Sequence, residues 1–268
     1  MTDVLVLAYH AVSERWPADL SVTPERFASQ LALLTARGYR GATLHRALAD
    51  PPADKTVVVT FDDGFRSVAT LALPILRRYG LPATVFVPTD HVGTGRPMRW
   101  AGIDQWLGTE HEAELLPMGW TELAMLADAG WEVGSHTRSH PRLTRIDDAS
   151  LRDELLASRE TCERELSLPC RTLAYPYGDH DGRVVAAVRA AGYRAACTLP
   201  EDFRGDDPLR TPRVGVYHGD GDAVFRLKIS PWTRRARRSP LWPAASRAAR
   251  RARARLPALG ALPRTNAA

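Results

Sequence analysis

KTVVVTFDDGF, residues 55–65, runs an unbroken apolar stretch into two adjacent aspartates and a glycine. A short β-branched run bounded by turn residues reads as a strand buried on both faces, as in a parallel sheet. Two neighbouring carboxylates at its end repel each other unless a cation or a proton intervenes, or unless one of them caps a helix starting near Phe65. Working outward, similar runs recur at 3–9, 83–87, 131–134, 172–175, 193–198 and 213–217. Between them, helical apolar spacing appears near 24–37, 65–79, 120–130, 147–167 and 181–191. Gly38, Gly80, Gly130 and Gly192 stand where helices end, and Pro74 is expected to kink or split the second helix. This alternation predicts an α/β fold, a distorted (β/α) barrel of about seven parallel strands.

The chain has 268 residues, 44% of them hydrophobic, enough for one large core. Its charge is +5, unevenly spread: every acidic residue lies at or before Asp222, and ten arginines follow Trp232. The expected division is a globular domain over 1–232, itself net acidic, and a basic C-terminal tail over 233–268. The tail is read either as disordered or as a basic amphipathic helix from Ala244 onward, suited to an anionic membrane surface. Nucleic acid is disfavoured, because no aromatics interleave with the arginines. Cys162, Cys170 and Cys197 lack metal-ligand spacing and form no disulfide framework. MTDVLVLAYHAV at the N-terminus resembles neither a secretion signal nor a membrane span, so a cytoplasmic location, peripheral at the membrane through the tail, is expected.

GSHTRSHP, residues 134–141, places His136 and His140 four apart directly after a strand. Two imidazoles and one carboxylate form a three-ligand set that leaves a metal position open for water, as in catalytic zinc sites. Tyr9–His10, Asp62–Asp63, His136–His140, Tyr177 and His218 all fall at or just beyond predicted strand ends, the face where parallel barrels build sites. Segment 88–119, rich in Gly, Pro and Trp, reads as a substrate wall. Trp100, Trp106 and Trp120 within or beside it would either stack on a sugar or pack the loop.

TFDDG, SHTRSH and AYPYG (174–178), in that order, together with LAYHAV near the N-terminus, resemble the motifs of the polysaccharide deacetylase family, carbohydrate esterases with the NodB-homology domain. The resemblance covers roughly residues 3–218. It implies Asp63, His136 and His140 as ligands of a divalent metal, most readily zinc, with cobalt, nickel or iron as alternatives. It further implies Asp62 as general base, the Tyr177 backbone N–H as oxyanion donor, and a late-strand histidine as acid, for which His218 is the expectation. His10 is expected to contact substrate. Where many members carry an arginine that orients the aspartate, this chain has Ala174, and Arg213 is the expected substitute from a neighbouring strand. The implied reaction removes an N-acetyl group from an amino sugar in a glycan, glycolipid or precursor. A deformylase or other amidohydrolase, and an inactive glycan-binding barrel, are the alternatives.

Overall fold

A computed structural model of the protein describes residues 4–50, 55–199, 207–237 and 239. Its strands are β1 (Val4–Tyr9), β2 (Ala11–Val12), β3 (Ser21–Val22), β4 (Arg40–Gly41), β5 (Thr56–Phe61), β6 (Ala83–Val87), β7 (Glu132–Ser135), β8 (Thr172–Ala174), β9 (Ala195–Thr198), β10 (Thr211–Pro212) and β11 (Val214–Gly215). The helices are α1 (Pro24–Ala36), α2 (Leu44–Ala49), α3 (Leu73–Arg78), α4 (Trp120–Asp128), α5 (Asp148–Leu166), α6 (Gly182–Ala190), α7 (Asp222–Ile229) and α8 (Pro231–Arg237). The main sheet is parallel in every pairing and runs β10-β9-β8-β7-β6-β5-β1-β11, with β4 on the start of β5.

The two ends of that order, β10 and β11, are neighbours in sequence, separated only by Arg213. Thr211 and Pro212 pair with β9, whereas Val214 and Gly215 pair with β1. They are two halves of one stave, so the barrel has seven staves and nearly closes at Arg213. β5 and β6 are buried along their whole length, as their unbroken apolar runs require. Side chains alternate between two cores. Val6, Val58, Phe86, Ala195 and Cys197 form a small interior cluster that Leu44 and Ala47 of α2 cover. Leu5, Leu7, Val57, Val59 and Val85 belong to the larger core, with Phe27 and Leu31 of α1 and Leu76 of α3.

Pro74 has no N–H to donate one turn back, and the chain accommodates it with a wider π-helical turn over Val68–Ala72 that leads straight into α3. The disruption expected from sequence takes the form of this wider turn. Segment 88–119 has no α-helix but is ordered: Met98, Ile103, Leu115 and Met118 are fully buried. No helix among the described residues is long and apolar enough to cross a membrane. The basic helix expected from Ala244 onward lies outside the described residues.

Candidate active site

β1 and β5 pair residue for residue from Val4↔Thr56 to Tyr9↔Phe61, and the Asp62 N–H then donates to the Tyr9 carbonyl at 3.0 Å. The next residues, His10 and Asp62, therefore leave the strands side by side. His10 Nε2 lies 3.9 Å from Asp62 Oδ2. Asp62 continues the inward row of Val58 and Thr60.

Arg213 is fully buried at the seam between β10 and β11. Its Nη1 donates to Asp62 Oδ1 at 2.6 Å and its Nη2 to Oδ2 at 2.7 Å. Nη1 also donates to Thr60 Oγ1, and Nε to the Thr198 carbonyl. The planar guanidinium thus joins β5 to β9 while clamping the carboxylate in one orientation. Burial alone would push the Asp62 pKa up; the adjoining guanidinium outweighs it and holds the carboxyl well below the usual range.

Asp63 turns away from this row because its backbone is left-handed, at φ 70°. Gly64, at φ 67°, continues the reversal, and a β-carbon there would stand 2.8 Å from Val87 Cγ1. Two carboxylates adjacent in sequence are in this way sent to different partners. Asp63 Oδ1 lies 3.4 Å from His136 Nε2 and 3.4 Å from His140 Nε2.

His136 follows β7 directly, and its N–H donates to the Val87 carbonyl. Its Nδ1 bonds the Ala174 carbonyl at 2.8 Å. A carbonyl only accepts, so Nδ1 carries the hydrogen and the Nε2 lone pair faces Asp63. The loop to His140 is held by Glu154 of α5, which accepts from the N–H groups of Arg138 and Ser139, both at 2.8 Å. Thr137 and His140 are themselves left-handed, at φ 68° and 64°. Non-glycine residues in this region carry strain, which tends to collect at functional sites, and Tyr177 (φ 59°) is another. Burial and the neighbouring His136 push the His140 pKa down to about 3. Burial likewise lowers that of His136, but Asp63 outweighs it and the net shift is upward.

Two imidazole Nε2 atoms gathered on one carboxylate oxygen make a donor set that suits a cation. Ligands on a tetrahedral zinc ion with bonds of about 2.0–2.1 Å stand about 3.4 Å apart. The two 3.4 Å separations match that spacing, so the residues fit such a metal. They are also the one group of three or more metal-ligating side chains close enough to do so among the described residues.

These groups line an open cavity of about 260 Å³ at the C-terminal mouth of the barrel. His10, Asp62, Asp63, His136, His140 and Tyr177 all face it. His218 does not. Its ring sits 3.4 Å from Ser21 Oγ, its N–H donates to the Asp19 carbonyl, and its own carbonyl accepts from Arg26. The strand expected over 213–217 ends at Gly215, and the chain then turns toward the parallel β2–β3 pair. Trp100 also lines the cavity and stacks on His140, ring centroids 4.1 Å apart. Trp106 packs edge-on against Trp16, and Trp120 begins α4. Glu154 and the Ala174 carbonyl gave no signal in the sequence, because one acts on backbone N–H groups and the other is itself backbone.

The polysaccharide deacetylase family matches residues 49–196 of the chain. The poly-β-1,6-N-acetyl-D-glucosamine N-deacetylase of Staphylococcus epidermidis is 27% identical over 257 residues, 85% of this chain and 82% of its own length. A crystal structure of a polysaccharide deacetylase from Bacillus cereus superimposes with a TM-score of 0.69 at 26% identity, covering 85% of this chain and 69% of its own. A Streptococcus pyogenes deacetylase solved with acetate shares the fold, with a TM-score of 0.71 at 22% identity over 86% of this chain and the whole of its own.

Proposed function

The chain belongs to the polysaccharide deacetylase family of carbon–nitrogen hydrolases, and from that membership we propose that it is a metal-dependent N-deacetylase acting on N-acetylglucosamine units of a glycan. The observation that carries this reading is the pairing of two differently held carboxylates on one cavity: Asp63 facing two imidazoles, and Asp62 clamped by Arg213.

Asp63, His136 and His140 would hold a divalent metal, whose chemistry there is to polarise the acetamide carbonyl and make a water more acidic. Asp62 accepts the proton of the water that attacks the carbonyl carbon. Both its oxygens bond Arg213, but each keeps a further lone pair for that proton. His10, rather than His218, delivers a proton to the departing amine nitrogen, because it lies on the cavity within 3.9 Å of Asp62. For the next turnover the proton taken by Asp62 returns to His10 through one intervening water, since 3.9 Å is too long for a direct hydrogen bond, and burial, which lowers the His10 pKa, makes the protonated ring a ready donor. The backbone N–H of Tyr177, which also lines the cavity, supports the oxyanion. Trp100, stacked on His140, presents an aromatic edge to the sugar.

Acetate release from β-1,6-linked N-acetylglucosamine oligomers by metal-loaded protein tests the reading. Formate release from an N-formyl sugar with no acetate release would replace it with the deformylase alternative. No release of either, from protein with full metal content, would leave the glycan-binding barrel.

A further inference from the structure

Five large hydrophobic side chains are exposed among the described residues, and three of them, Val224 (42%), Leu227 (64%) and Trp232 (80%), fall within α7 and the start of α8. Phe225 and Ile229 turn the other face of α7 into the core, so the helix is anchored and the outer face is presented rather than frayed. Val224 and Leu227 are one helical turn apart and share that outer face. The exposed cations beside them are Arg226 and Arg235, while Lys228 is occupied by Asp220. Asp222, at the start of α7, is the last acidic residue of the chain, and ten arginines follow Trp232.

We propose that the α7–α8 face, with the arginine-rich sequence continuing from it, docks the protein on an anionic lipid bilayer. An interfacial surface needs both parts: tryptophan and leucine to enter the headgroup boundary, and cations to meet its negative potential. A soluble polyanion would account for the arginines but leave Trp232 and Leu227 in water. A second copy of the chain, meeting this one about a two-fold axis, would set the same positive patch against itself. None of these residues lines the catalytic cavity, so the inference stands apart from the deacetylase reading.

The test is co-sedimentation of the full-length protein with phosphatidylcholine vesicles, either pure or containing about one third phosphatidylglycerol, at low and high salt. Binding is expected to the anionic vesicles alone and to weaken with salt. The double variant L227S/W232S should bind about tenfold more weakly or worse, and Arg235→Gln about fivefold more weakly. Both keep the circular dichroism spectrum and the melting temperature of the wild type to within a few degrees, which shows that they fold. Equal binding to neutral vesicles, or unchanged binding by L227S/W232S, overturns the proposal. So does complete displacement by soluble polyphosphate, which substitutes a polyanion as partner, or a dimer in solution that Trp232→Ser dissociates, which makes the face a self-contact.

Discussion

Arg213 and Asp62, 151 residues apart in sequence, meet through two parallel hydrogen bonds in the interior of the barrel. The arginine sits at the one point where the sheet changes partner, and the carboxylate it grips is the proposed base. Removing either partner leaves the other charged and buried. Arg213→Met should therefore cost about 3–5 kcal/mol of stability, read from urea unfolding. Arg213→Lys keeps the charge but not the fork, and should fold while losing about tenfold or more in kcat. A lysine variant with unchanged kcat would show that Asp62 needs no orienting partner.

Asp62→Asn should lower kcat by about 10²–10⁴ while the bound metal, measured by elemental analysis, stays at the wild-type level. Retained activity would remove Asp62 from the proton transfer.

The two histidine candidates separate cleanly. His10→Asn should lose about 10²-fold or more in kcat, whereas His218→Ala, whose ring contacts Ser21 outside the cavity, should stay within about twofold of the wild type. The reverse pattern would return the acid role to His218.

Chelation should abolish acetate release and lower the melting temperature, because a ligand bound only by the native state stabilises it. Adding back single metals one at a time identifies the metal that works best. His136→Ala and His140→Ala should fail to recover either property, and activity in thoroughly stripped protein would refute the metal set.

Tyr177→Gly keeps the backbone N–H and removes the ring from a left-handed position. Relief of about 1 kcal/mol of backbone strain offsets part of the lost packing. If the N–H is the working group, kcat should stay within about tenfold while KM rises, because the wall against the sugar is gone.

What could be read from the sequence was whatever is local to one strand end. TFDDG and SHTRSH each carry their candidate ligands within a few residues, so the candidate metal set could be named from motif, and the alternation of parallel strands and helices from period. Relationships that depend on register did not follow. His10 lies beside Asp62 because Tyr9 pairs with Phe61, and no pattern in either segment specifies that pairing. His218 looked equivalent because it too follows an apolar run, but β11 ends at Gly215 and the chain turns away before reaching it. Arg213 could be named only as an arginine on a neighbouring strand. Its grip on Asp62 depends on a stave that splits between two partners, whereas the sequence suggests only a single strand over 213–217. The wider turn before Pro74 was equally invisible, since a missing N–H announces a disruption without saying whether the helix breaks or widens.

The split stave makes Arg213 a latch as well as a clamp. Each half pairs with its neighbour over only two residues, and the side chain between them ties β5 to β9 across the gap. Sub-global opening of this seam would release Asp62 while the rest of the barrel remained intact. Catalytic competence should thus be the first property lost on warming, ahead of the cooperative melt, and amide hydrogens at 211–215 should exchange sooner than those of β5 and β6.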